Sequence, residues 1–133
     1  MHSEFNHSPD DLVHFLQIWI EPNVTGIAPG YEETQFDDES KRGKLRLIAA
    51  PDGRDGSVTI HQDAYVYASL LNGTDKVSHA LAQGRSAYVH VVRGDVNVNG
   101  QALTTGDAAK LSGETLVELA QAKDAEILLF DLP

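Results

Sequence analysis

Apolar residues in this chain come in short runs cut by Gly, Asn, Asp and Pro, and most runs are rich in β-branched or aromatic side chains. That pattern predicts strands over 44–50, 57–60, 64–71, 76–82, 87–92, 96–98, 114–119 and 126–132. The interruptions carry turn chemistry: Pro51-Asp52-Gly53, Asp55-Gly56, Asn72-Gly73, Gly84-Arg85, Arg93-Gly94 and Thr105-Gly106-Asp107. Arg93-Gly94 is read as the turn of a hairpin between 87–92 and 96–98. Asn99-Gly100 is the strongest hairpin turn, because both residues accept positive φ. Short strands about 8–12 residues apart indicate an antiparallel sandwich or barrel. The runs at 108–111 and 120–125 are too short for convincing helices, so the fold class is all-β.

Residues 12–20 (LVHFLQIWI) break the alternation, being apolar on both faces apart from His14 and Gln17. Such a run reads as a strand covered on both sides, stopped by Glu21-Pro22-Asn23. From 25 to 43 the chain is irregular, with Gly26, Pro29, Gly30 and the acidic cluster Glu32, Glu33, Asp37, Asp38 and Glu39. That composition predicts a linker or surface arm with solvated carboxylates. The expected organisation is an arm over 1–43 and one domain over 44–133.

Charge narrows the partners. Ten Lys and Arg face 20 Asp and Glu, a formal net charge of −10, and such a surface repels nucleic acid and anionic membrane. With no cysteine there are no disulfides or thiolate metal sites, which leaves His and carboxylate as ligands. No apolar run approaches the roughly 20 residues that span a bilayer, and no secretion signal follows Met1, so a soluble cytoplasmic protein is expected.

The chemistry-bearing pattern is His2-Ser3-Glu4. On an extended segment, H-x-E points an imidazole and a carboxylate to the same face, where both can bind one divalent ion. Two ligands are fewer than the three or so protein groups a catalytic ion usually has. His61, Asp63, Tyr65 and Tyr67 share one strand parity and could line a cavity wall, although an amphipathic face with aromatic packing is the simpler reading. His79 and His90 read as hydrogen-bonded barrel or surface residues. No phosphate loop, Ser–His–Asp order or paired-carboxylate signature stands out.

Several segments together carry a resemblance. They are HSEFN at 2–6, LQIWIEP at 16–22, Gly26-Ile27-x-Pro29-x-Tyr31-Glu32, PDGRDGSVTIHQDAYVY at 51–67, VVRGDVNVNG at 91–100 and LLFDLP at 128–133. This ordered set runs through essentially the whole chain and resembles the pirin family of two-cupin proteins. It corresponds to the C-terminal half and the last strands of the N-terminal half. The resemblance implies a cupin-type antiparallel double-stranded β-barrel with an N-terminal extended arm.

In pirins the metal lies in the N-terminal cupin, held by an H-x-H pair and by the His and Glu of an H-S-E segment. The resemblance makes His2 and Glu4 that second pair and puts the H-x-H pair before Met1. It implies quercetin 2,3-dioxygenase-type chemistry for the full-length proteins, with Fe(II) or another divalent metal, and metal-dependent protein binding for some. In the C-terminal cupin, alignment on Gly73 and Gly94 sets His79 on the first ligand position and Leu81 on the second. Ser86 or Ala87 falls near the Glu position, and no His follows in 114–119, so this barrel is expected to bind no metal.

Two functions follow. One is a C-terminal cupin, non-catalytic on its own, acting through assembly or ligand binding. The other is a metal-dependent dioxygenase-type oxidoreductase whose site another chain completes. A bare 12–20 strand would be an open edge, so the expected partner is a second copy exchanging arms, or an N-terminal cupin chain.

Overall fold

The computed structural model describes residues 3–133. The strands are β1 (Arg46–Ala50), β2 (Val58–Thr59), β3 (Tyr65–Leu71), β4 (Val77–Ala80), β5 (Ser86–Val98), β6 (Gln101–Thr104), β7 (Ala108–Ser112) and β8 (Leu116–Leu132). A 3-10 turn at Arg54–Gly56 is the sole helical element among the described residues, none of which forms a helix long and apolar enough to cross a membrane. The all-β expectation is met.

Hydrogen bonding runs in the order β2-β1-β3-β8-β5-β6, with β4 added on β8 and β7 on β5. Every pairing is antiparallel except β1 with β2. No ladder joins β2 to β6 among the described residues, so hydrogen bonds do not close the sheet into a ring. The open sheet is instead bent. The long strands β5 and β8 pair along their lengths, and their register slips between Val91 and Arg93, Arg93 and Asp95, and Asp95 and Asn97. On one side of these bulges lie β3 and β7; on the other lie β4 and β6. Bulges sharpen strand bend and twist, and here they fold one ladder into two facing layers.

One core fills the space between the layers. Val89, Val91, Ile127 and Leu129 from one layer meet Val96, Val98, Val117 and Leu119 from the other, all nearly or fully buried. Each such side chain contributes about 1.5–3 kcal/mol on burial. A smaller cluster of Ala49, Val66 and Phe130 lies apart from it, with Tyr88, Leu128, Leu132 and Ile20 packed around it. Alternation along β8 explains the split, since Ile127 and Leu129 face inward while Leu128 and Phe130 face outward.

Four expectations change. The Arg93-Gly94 hairpin does not exist, because β5 continues through it. Gly94 has φ 77° there, and a Cβ would overlap the Asp124 carbonyl, so the glycine marks a bend instead of a reversal. Residues 120–125 likewise belong to β8, where Gln121 and Asp124 take positive φ opposite that bend. Residues 108–111 fall in β7, paired with β5, where burial of Leu111 overrides the helix preference of Ala108 and Ala109.

The fourth concerns residues 12–20, which form no strand and are largely uncovered. Leu12, Val13, Phe15, Leu16 and Ile18 are exposed, and Trp19 is 87% exposed. A two-faced apolar strand needs partners on both sides, and among the described residues Ile20 is the one side chain of this run packed on a buried cluster. Beyond it the chain is tied down: Asn23 N–H donates to the His61 carbonyl at 2.8 Å, Gln62 Nε2 to the Glu21 carbonyl at 2.8 Å, and Thr59 N–H to Glu32 Oε2 at 2.7 Å. The Asn99-Gly100 hairpin forms as expected, pairing Val98 with Gln101.

Candidate functional site

At one mouth of the barrel the inward-facing register turns polar. β8 continues its inward positions from Ile127 and Leu129 to Asp131, which is only 6% exposed. An isolated carboxylate so placed would be costly, and it is retained because an imidazole and a guanidinium reach it. His79 Nε2 on β4 donates to Asp131 Oδ2 at 2.7 Å. Arg85, just before β5, donates from Nε to Asp131 Oδ1 and from Nη2 to the Asp131 carbonyl at 3.1 Å. The same guanidinium reaches Asp63 Oδ2 at 3.0 Å and the Asp63 carbonyl at 3.1 Å. His79 and Asp131 belong to opposite layers, so this cluster ties the mouth together.

Aromatic rings complete it. The Tyr67 ring lies 4.8 Å from the His79 ring, tilted by 52°. Tyr65 has two guanidinium groups close to its ring, with Arg54 at 5.2 Å and Arg85 at 5.3 Å from its centroid. Burial, followed by the Asp131 and Tyr65 charges, pushes the Tyr67 hydroxyl above the usual phenol range. Burial also works against the Arg85 charge, but the hydrogen bonds and charges of Asp131 and Asp63 outweigh it and raise the guanidinium's pKa. Beside the cluster opens a cleft of about 850 Å³, lined among others by Lys44, Arg46, Arg54, Tyr65, Tyr67 and Arg85.

The expected cavity wall is therefore partly present. Tyr65 and Tyr67 line the cleft and Asp63 anchors Arg85, whereas His61 is exposed and offers only its carbonyl to Asn23. His79, expected on the first cupin ligand position, is held by Asp131. Arg85 shares that carboxylate, and a guanidinium there opposes a second cation, so these residues do not fit a metal. Of the H-x-E pair, His2 lies outside the described residues and Glu4 is exposed. His7 and His14 are exposed and His90 is half-buried in β5. No group of three or more His, Asp or Glu suited to a metal occurs among the described residues.

Sequence reasoning missed Asp131 and Arg85. The signal for Asp131 was available, since it is an acid at a buried parity inside the apolar run LLFDLP. Arg85 offered none, because its partners lie far away along the chain.

The quercetinase C-terminal cupin domain family matches residues 47–132. The chain belongs to the pirin family. It is 39% identical over 132 residues to a quercetin 2,3-dioxygenase of Escherichia coli K12, covering 99% of this chain and 56% of that protein. A pirin-like protein of Caulobacter vibrioides is 32% identical, with 98% and 56% covered. Among solved structures, YhhW of Escherichia coli superposes with a TM-score of 0.81 at 36% identity, covering 86% of this chain and 48% of that one. The nickel(II) complex of the same bacterial pirin gives 0.78 at 36% identity, covering 84% and 47%. The chain spans about half the length of the curated relatives it matches. Pirin family membership and the two-layered sheet agree on a cupin domain.

Proposed function

We propose that this pirin-family cupin is non-catalytic on its own and acts through assembly, its N-terminal arm exchanged with a second copy. The supporting observation is the run of exposed apolar side chains from Leu12 to Trp19, directly followed by Ile20 seated on the outer cluster of Val66 and Phe130. A segment anchored at Ile20 and bare before it can lie on the same outer face of another copy. Each Leu, Phe or Ile so covered adds about 1.5–3 kcal/mol, less the cost of ordering the arm. Light scattering with Trp19 fluorescence tests this. A dimer with blue-shifted Trp19 emission, converted to monomer by Phe15→Ser with Trp19→Ser, is expected; a micromolar monomer with solvent-exposed Trp19 overturns it.

A second reading has specific support in the relatives named quercetin 2,3-dioxygenase and in the nickel(II)-bound pirin. In it, His2 and Glu4 contribute to a divalent metal site, Fe(II) or another ion, completed by an N-terminal cupin chain or a second copy. An anaerobic Fe(II) titration beside His2→Ala and Glu4→Ala decides between the readings. Saturable binding lost in both variants favours the metal enzyme; binding equal to the variants favours the assembly role.

A further inference from the structure

Positive charge is gathered in one place on a strongly acidic chain. Four of the ten Lys and Arg residues, Lys44, Arg46, Arg54 and Arg85, line the cleft at the barrel mouth, against a net charge of −10 for the whole. Two of the four are already matched. Arg85 is held by Asp131 and Asp63, and Arg54 Nε pairs with Asp52 at 2.9 Å. The other two form no ion pair within 4 Å among the described residues, although, beside the Ser40 hydrogen bonds, the Lys44 charge helps hold the Asp37 carboxyl below its usual range. Arg46 spends Nη2 on the main-chain carbonyl of Asp55 at 2.6 Å and lies over the Phe36 ring at 5.2 Å, while its Nε finds no acceptor. Lys44 is exposed at the cleft rim and forms no ion pair. Of the acids in the lining, Asp131 is neutralised by Arg85, which leaves Asp55 alone against Lys44 and Arg46.

The remaining wall is flat and aromatic. The Tyr65 ring lies near the Arg54 and Arg85 guanidinium groups, 5.2 and 5.3 Å from its centroid, and Tyr67 has its ring against His79. Phenol and guanidinium planes favour a flat π-system, and an unmatched guanidinium favours a carboxylate, which accepts its paired N–H groups. The cleft volume, about 850 Å³, lies within the range of small-molecule sites, roughly 300–1,000 Å³.

We propose that the cleft is a binding site for a small aromatic carboxylate, its ring against Tyr65 and Tyr67 and its carboxylate on Arg46 and Lys44. It needs no metal and lies away from the exposed 12–20 run, although Ser40 contributes to its lining and Phe36 backs Arg46, and the Arg85–Asp131–His79 cluster serves to hold the aromatic wall in place.

Titration of the full chain with naphthalene-2-carboxylate, followed residue by residue in amide NMR spectra, tests this. Naphthalene-2-carboxamide and acetate are the matched neutral and non-aromatic probes. Saturable shifts centred on 44–47 and 65–67 are expected, with both control probes at least tenfold weaker. Lys44→Gln and Arg46→Gln should each weaken binding threefold or more, with affinity falling as salt rises. The exposed Lys44 guards the test should Arg46→Gln unfold. Equal affinity for acid and amide, acetate as effective as the naphthoate, shifts confined to 12–20, or Lys44→Gln binding like the parent would each overturn the proposal.

Discussion

Removing the Asp131 carboxylate is the sharpest perturbation of the barrel mouth. The Asp131 and Arg85 side chains are 8% and 15% exposed, so this is a nearly buried pair. Deleting one member of such a pair costs about 3–5 kcal/mol, because the other charge stays desolvated. Arg85 keeps its bonds to the exposed Asp63, which places Asp131→Leu near the lower end, about 3 kcal/mol. For a domain of this size that lowers Tm by about 10 °C. Replacing both partners, Arg85→Met with Asp131→Leu, removes the orphaned charge and should cost less than Asp131→Leu alone. Urea unfolding of the parent, the two single variants and the double variant measures the cycle. Additive losses, or a cost below about 1 kcal/mol for Asp131→Leu, would show that the pair does not hold the mouth.

Other expectations concern separate parts of the fold. Gly94→Ala sets a Cβ into the Asp124 carbonyl at positive φ and should cost about 3 kcal/mol or more by thermal unfolding; an unchanged Tm would refute the bulge geometry. Asn99→Ala removes the side-chain bonds to the Leu116 carbonyl at 2.9 Å and from Glu118 N–H at 2.6 Å, loosening the β5–β6 turn by about 2 kcal/mol in the same assay. Ser69 is fully buried with no partner for its hydroxyl among the described residues, so Ser69→Ala should be neutral or stabilise by about 0.5 kcal/mol, and a clear loss of stability would reveal a missed acceptor. Tyr67 titrates above its ordinary value of 10.0, so its contribution is complete below that pH and is lost as pH rises through the folded value. Tyr67→Phe should flatten the alkaline fall in stability, and an identical pH profile would contradict this.

Strand positions were legible wherever apolar runs alternate between turn residues, as at β3, where the YVYASLL segment is Tyr65–Leu71. Asn99-Gly100 was legible because its chemistry is local. Gly94 misled because a glycine at positive φ serves a turn or a bulge equally well, and only the partner strand decides between them. β7 was hidden because its alanines carry a weak local preference that β5 overrides. The arm at 12–20 was read as covered because its pattern says what it would bury and cannot say where that cover comes from. At the site, the aromatic wall followed from the parity of Tyr65 and Tyr67, but the Asp131–Arg85 link joins residues that no local spacing connects.

β8 also dictates the order in which this protein can fold. Its seventeen residues supply partners to β3, β4 and β5, yet they follow every other strand in the chain. During synthesis the earlier strands therefore emerge with their principal partner still unmade. Neither layer can be completed piecewise, and the pairing of Tyr65 with Asp131 must close a loop that holds every strand from β3 onward. Such non-local pairing is associated with folding in milliseconds to seconds and with apolar strands left open to aggregation in the meantime. Slow translation of the early strands would not help this protein fold, whereas prompt delivery of its last strand would.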